Sequence, residues 1–184
     1  MSTRKKSPKA AKKKKPEAAY AEFMARAYVM EVDASERYAD FADQMEVHNN
    51  LDVARLFRKL SQIEGLHAKR ILEEMGWKQP PRALLAWRWN DEPEPPETAA
   101  VTDVHYLMQP WHALQIGLKN ERRAQKFFER LVRSASVPAA VKKVASEMAE
   151  EEREHVRLIQ EWLKRVPKPE PGWDRDPDPP VYSD

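Results

Sequence analysis

The chain has 184 residues, of which 41% are hydrophobic and 34% charged, with only 4 Gly and no Cys. This length allows one domain with a substantial core, and the composition favours long amphipathic helices over a β-sandwich or barrel. The absence of Cys excludes disulfides, iron–sulfur clusters and Cys-ligated modules, so a bound metal would be held by His and carboxylates. No apolar run approaches the ~20 residues that span a bilayer, and none follows the basic N-terminus as in a secretory signal, which predicts a cytoplasmic protein without membrane association.

Residues 1–16 form a strongly basic segment that is interrupted by Pro8 and Pro16. Such a segment cannot bury a core and is predicted to be a disordered tail. It could bind nucleic acid or another anionic surface. A solvated tail without a partner is the preferred interpretation.

Residues 17–166 are predicted to form one helical domain that begins with a hairpin. The first helix is placed at about 17–47 and the second at about 52–75. The break between them falls at His48-Asn49-Asn50, which is short enough to make the two helices antiparallel neighbours.

A second hairpin is predicted closer to the C-terminus. Its first helix is placed at about 111–134, directly after Pro110, and its second at about 138–165. Ser136 is the predicted N-cap of the latter helix, with Pro138 in its first turn.

The two hairpins are joined by a long crossover, residues 76–110, which is rich in proline and contains Trp77, Trp87 and Trp89. Extended, such a segment can run the whole length of a bundle helix. We therefore predict an all-α four-helix bundle made of two antiparallel hairpins and one long crossover, with the tryptophans as apolar anchors. Residues 167–184 form a Pro-rich extended tail, which Trp173 and Tyr182 could pin to the domain or to another subunit.

The strongest chemical signal is a repeated Glu-x-x-His motif, at Glu64/His67 and at Glu152/His155. One such pair is a weak signal in a chain rich in glutamate. Both pairs, however, lie inside an apolar helical stripe and share the frame apolar-x3-Glu-x2-His-x3-Ile. Because residues three and four apart share a helix face, each helix is predicted to direct a carboxylate and an imidazole into the core. Glu151 lies near the same stripe, but only Glu152 reproduces the spacing of the second helix.

The other two helices each carry a glutamate followed seven residues later by an aromatic residue, Glu31 with Tyr38 and Glu121 with Phe128. From this glutamate to the Glu of the next Glu-x-x-His motif the interval is 33 residues in the first hairpin and 31 in the second. The pattern indicates an internal duplication of one hairpin. Tyr38 and Phe128 are interpreted as packing residues beside the site rather than as redox residues.

Four glutamates in one core predict bound cations, because a buried carboxylate without a counter-charge is very costly. Their four negative charges match two divalent cations, and two imidazoles complete the set. Oxygen-rich ligation with one nitrogen per metal suits iron or manganese better than structural zinc, and a mixed pair stays open. Without metal, mutual repulsion should raise the pKa of some of these carboxylates.

One Glu from each of two helices, with Glu-x-x-His from each of the other two, resembles the di-iron site of the ferritin-like superfamily. Within it the sequence is most similar to the rubrerythrin and bacterioferritin branch, notably over residues 31–42 and at Leu56-Phe57 before Glu64. The resemblance covers about residues 20–165. It implies two iron ions and six metal ligands: Glu31, Glu64, His67, Glu121, Glu152 and His155.

By the same resemblance, Glu31 and Glu121 would be terminal ligands, Glu64 and Glu152 would bridge the metals, and each histidine would bind one. Two departures from rubrerythrin stand out. A rubredoxin-like domain is missing because Cys is absent, and the further Glu that rubrerythrin carries one turn after its third-helix ligand is replaced by Ala124. The ligand set is therefore closer to that of bacterioferritin.

The resemblance implies a di-iron oxidoreductase in which peroxide or dioxygen oxidises ferrous iron, for peroxide removal or iron detoxification under oxidative stress. Its electron donor is unknown, and a homo-oligomer, a dimer or larger, is expected. Three other functions stay open. They are iron storage or sequestration, DNA protection by a mini-ferritin-like protein through the basic tail, and oxygenation of an organic substrate.

Overall fold

The structure, a computed structural model, describes residues 18–85 and 104–176 and consists there of helices without any strand. The helices are α1 Ala18–Val47, α2 Leu51–Met75, α3 Arg82–Leu85, α4 Pro110–Arg133 and α5 Ala139–Leu163. The predicted all-α four-helix bundle is confirmed, with the ends of the long helices within two residues of the prediction wherever they are described. The basic tail, the residues after 176 with Tyr182, and the tryptophans Trp87 and Trp89 lie outside the described residues.

The turn between α1 and α2 forms at the predicted break. Asn49 adopts a left-handed conformation with φ of 56°, which asparagine tolerates better than most residues. The Asn50 side chain donates hydrogen bonds to the carbonyl oxygens of Met108, at 2.6 Å, and Tyr106, at 3.3 Å. The first hairpin turn is thereby tied to the end of the crossover.

Helix α2 ends at Gly76, whose φ of 64° places it in the left-handed region that favours glycine at a helix C-terminus. The four-residue helix α3 follows after Pro81 and contacts α1. The sequence did not reveal α3, because four residues are too few to show a helical period. Trp77 packs against the core as predicted for a crossover anchor.

The starts of α4 and α5 differ in how they are capped. At α4, Pro110 occupies the first turn and His112 Nδ1 accepts a hydrogen bond from the Gln109 backbone N–H at 3.0 Å. At α5, the prediction that Ser136 is the N-cap is wrong: Pro138 occupies that position, without a side-chain cap. The Ser136 hydroxyl instead lies 2.9 Å from the hydroxyl of Ser134, within the turn.

Two apolar clusters fill the core, one toward each end of the bundle. The first joins the C-terminal half of α1 to the N-terminal parts of α2 and α4, and contains Phe41 and Phe57. The second joins the N-terminal parts of α1 and α5 to the C-terminal parts of α2 and α4, and contains Met24 and Phe128. Helices α2 and α4 therefore run in the same direction, as expected for two hairpins joined by one long crossover.

Glycine allows α4 to approach its neighbours closely in the middle of the bundle. A Cβ atom on Gly117 would lie 3.3 Å from a methyl group of Leu60 and 3.3 Å from one of Ile159. This contact is one turn before Glu121, so it holds the hairpins together next to the layer of buried glutamates. Among the described helices, none combines the length and the apolar character required to cross a membrane.

Candidate metal centre

Each of the four long helices brings one glutamate to the middle of the core. Each of these side chains lies between the two apolar clusters and is only 2–3% exposed: Glu31, Glu64, Glu121 and Glu152. Charged residues are almost never buried to this degree without a counter-charge or a metal. The layer they form is the main departure from an apolar bundle interior.

The glutamates belong to two clusters, each completed by a histidine and each formed within one hairpin. In the first, His67 Nδ1 lies 3.4 Å from Oε2 of Glu31 and 3.4 Å from Oε2 of Glu64. Ligand atoms that lie within 4.8 Å of one another, as these do, can be bridged by one metal ion.

The second cluster repeats the geometry of the first. His155 Nδ1 lies 3.2 Å from Oε2 of Glu121 and 3.4 Å from Oε2 of Glu152. The two imidazole rings, His67 and His155, stack almost in parallel, with centroids 4.8 Å apart and planes inclined by 2°. All six residues singled out in the sequence therefore meet at one place. Whether each of them ligates a metal stays a prediction.

Burial and mutual repulsion favour protonation of the first cluster in the absence of metal. Burial, followed by the charge of Glu64, raises the pKa of Glu31 well above its usual range. Burial also raises the pKa of Glu64, with the charge of Glu121 adding to the effect and His67 opposing it. Burial lowers the pKa of His67, but its hydrogen bond and charge interaction with Glu64 outweigh this and raise the pKa overall. The cluster can thus hold protons that a metal would displace.

The donor atoms fit a pair of divalent cations. Oε2 of Glu31 and Oε1 of Glu64 are buried and accept no hydrogen bond. Such oxygens are expensive to bury unless something binds them, and metal ligation would satisfy both. A set of four carboxylates and two imidazoles supplies hard oxygen donors with one nitrogen per cluster, which suits iron or manganese.

Tyr38 and Phe128 pack in the two apolar clusters, as their interpretation as packing residues requires. Tyr38 stacks on Phe57, and its hydroxyl accepts a hydrogen bond of 2.9 Å from the side-chain amide of Asn120. Asn120 is itself buried, and its Oδ1 accepts no hydrogen bond. The sequence contained one signal for a buried role of Asn120: it is the one amide on the buried face of α4, directly before Glu121.

Two positions close to the candidate ligands supply no buried donor atom. Glu151 has a side chain that is 46% exposed and pairs with Arg70, whereas Glu152 faces the core. Ala124 is fully buried in the second apolar cluster, so the position one turn after Glu121 supplies no donor.

Comparison with known proteins gives one family and one solved structure. The family model described as rubrerythrin matches residues 22–139, a range that contains four of the six candidate ligands and ends before Glu152 and His155. The chain is 37% identical to an uncharacterized conserved protein from Magnetospirillum magnetotacticum MS-1, whose crystal structure it matches with a TM-score of 0.56 over 82% of this chain and 97% of that one. Among curated proteins none matches.

Proposed function

Because this chain belongs to the rubrerythrin family, we propose that it is a di-iron oxidoreductase that oxidises ferrous iron with peroxide or dioxygen. The observation that carries the proposal is the pairing of two buried Glu-Glu-His clusters through the stacked rings of His67 and His155. A site of this composition inside a bundle is the usual place for a carboxylate-bound metal pair.

The residues have distinct roles in this proposal. Glu31 and Glu121 would each hold one metal, Glu64 and Glu152 would be shared by the pair, and each histidine would supply one nitrogen. When bound, two ferrous ions would supply the two electrons that, together with two protons, reduce one hydrogen peroxide to two waters. The protein would orient the pair between the two apolar clusters and release the protons of Glu31 and Glu64 as the metals bind.

Peroxide removal or iron detoxification is the role that we propose for this chemistry. The ferric pair must be reduced again for turnover, and we propose that a separate electron donor does this. Manganese, or a mixed pair, would use the same six residues.

The proposal is tested by single variants in each cluster, Glu64→Gln and Glu152→Gln. Purified protein is loaded anaerobically with ferrous iron and mixed with peroxide or dioxygen in a stopped-flow spectrometer. The wild type should bind two irons per chain and oxidise both. Each variant should lose ~10–100-fold in iron affinity, and its peroxide-dependent absorption change should largely disappear.

Glu154→Gln is the matched control, because Glu154 is on α5 but is 68% exposed and pairs with Arg157. It should behave as the wild type. Oxidation that proceeds equally well in all four proteins would contradict the proposal. A large multi-subunit particle that takes up many irons per chain would instead support storage as the function.

A further inference from the structure

A groove between α1, α2 and α5 leads from the surface to the first metal-binding cluster. Its volume is about 190 Å³, and Glu31 and His67 form its inner end. Apolar side chains, including Met24 and Met148, line its walls. Because the groove reaches two candidate ligands, a small ion could pass along it to the site.

The mouth of this groove is acidic. Glu74, Glu147 and Glu151 line it, and the one guanidinium among its lining residues belongs to Arg70. Among the lining residues, the mouth has three carboxylates and one guanidinium, and Glu31 lies at the inner end. A cleft that concentrates one sign of charge attracts ions of the opposite sign and raises their local concentration.

The innermost of these carboxylates, Glu31, has a buried oxygen that accepts no hydrogen bond. This oxygen is Oε2, and Glu31 is 2% exposed. Glu151 lines the same groove at its mouth, where its side chain is 46% exposed. The groove thus joins an exposed carboxylate to a buried one.

A second groove also reaches His67 but carries the opposite charge. It is lined by apolar residues of α2 together with Lys69, Arg70 and Glu73, and has a volume of about 320 Å³. Its two positive charges exceed its one carboxylate, so it should repel divalent cations although it has the larger volume. Charge, rather than volume, distinguishes the two routes.

We propose that the acidic groove is the uptake route for the divalent cations of the centre, with Glu151 as their first binding residue and Arg70 as the competing counter-charge. Arg70 Nη2 lies 3.3 Å from Glu151 Oε1, and this pair bridges α2 and α5 across the mouth. Both side chains are about half exposed, and an exposed pair is weak enough for an arriving cation to displace the guanidinium. The inference rests on the function proposed above, because it assigns a path to the same centre.

The test measures how fast Co²⁺, used as a coloured substitute for ferrous iron, binds to the metal-free full-length protein. Stopped-flow absorption gives the association rate, and titration gives the number of ions bound. Glu151→Gln should slow association ~3–10-fold and still bind two ions per chain. Arg70→Gln should speed association, and added salt should slow the wild type more than Glu151→Gln.

Glu73→Gln is the matched control, because it removes the same charge from the wall of the second groove. It should leave the rate unchanged. Equal rates for Glu151→Gln and the wild type, or a slower rate for Glu73→Gln alone, would overturn the uptake route. So would the loss of one bound ion in Glu151→Gln, since Glu151 would then be a ligand of the centre.

The number of ions bound by the wild type tests the proposed function separately. A wild type that binds no pair of ions contradicts the di-metal centre itself. Two ions per chain in every variant, with identical rates, leaves the centre in place and overturns the route alone. Circular dichroism of each variant confirms that the helices are retained.

Discussion

At the scale of single residues, the buried glutamates lower the stability of the metal-free protein. Four carboxylates in one layer repel one another, and burial removes the water that would otherwise solvate them. The raised pKa values of Glu31 and Glu64 reflect the free-energy cost of burying their ionised forms. Bound cations would remove this cost, because they would neutralise the carboxylate layer.

Glu31→Gln is expected to make the metal-free protein more stable by roughly 1–2 kcal/mol at neutral pH. The folded-state pKa of Glu31 lies above its ordinary value of 4.5, so the folded protein binds protons that the unfolded chain releases. Stability is then complete below that ordinary value and is lost as the pH rises through the raised pKa. Urea unfolding between pH 5 and 9 should show a smaller decline for the variant than for the wild type.

Glu36→Gln serves as the control for this pH series, since Glu36 is exposed on the same helix. It should follow the wild-type curve. Parallel curves for Glu31→Gln and the wild type would show that Glu31 carries its charge in the folded protein at no cost.

The hydrogen bond between Asn120 and Tyr38 breaks the internal symmetry of the bundle. Tyr38 is seven residues after Glu31 and Asn120 directly precedes Glu121, whereas the corresponding pair in the other half is Phe128 and Met30. That second pair is apolar and fully buried. One half of the core therefore contains a polar pair. The other half has an apolar pair at the equivalent positions, so an apolar pair can fit there.

Tyr38→Phe should destabilise the protein by about 1–3 kcal/mol, because the buried amide of Asn120 loses its acceptor. The double variant Tyr38→Phe/Asn120→Met copies the apolar pair of the other half. It should recover the part of the loss that comes from the amide, since the variant no longer buries an amide donor without an acceptor. Chemical denaturation of the single and double variants measures this coupling. Additive losses would contradict it.

At the scale of elements, the C-terminal segment after α5 is held by aromatic contacts. Trp173 lies against two histidine rings, with centroids 3.7 Å from His112 and 5.4 Å from His105. The Tyr106 hydroxyl donates a hydrogen bond to Asp176. Trp173 thus contacts the domain, one of the two alternatives that the sequence left open, and it does so through two histidines.

Trp173→Ala should release the segment while the bundle stays folded. Limited trypsin digestion is expected to cleave after Arg175, which is exposed in this segment, about tenfold faster than in the wild type, because the local opening becomes easier. Trp77→Ala, which removes a tryptophan at the other end of the bundle, should leave cleavage after Arg175 unchanged. Equal cleavage of wild type and Trp173→Ala would show that other contacts hold the segment.

At the scale of the whole molecule, the carboxylate layer lies between two apolar clusters and belongs to both hairpins. Each hairpin provides one complete Glu-Glu-His cluster, and the clusters meet at the stacked imidazoles. A metal pair bridged by Glu64 and Glu152 would therefore join the two hairpins directly. Binding would add stability to the folded state alone, because the unfolded chain cannot assemble the site.

Metal removal should accordingly lower the melting temperature of the protein. Divalent cation at about 100 times its dissociation constant stabilises a one-site protein by ~2.7 kcal/mol, and two sites should add to this. Thermal unfolding with ferrous or manganous ion, and then with excess chelator, measures the difference. The Glu31→Gln variant should show a smaller shift, and an equal melting temperature with and without metal would argue against a structural link between the hairpins.

The sequence by itself determined the four long helices, both hairpin turns and the six residues of the candidate centre. These features depend on the 3.6-residue period and on short spacings, which a chain displays without being folded. The tertiary structure decided the rest: the parallel stack of the Glu-x-x-His imidazoles, the bond between Asn120 and Tyr38, the helix start at Pro138 and the acidic groove at Glu151. Each of these depends on side-chain geometry or on residues distant in the sequence, which become neighbours only when the hairpins pack.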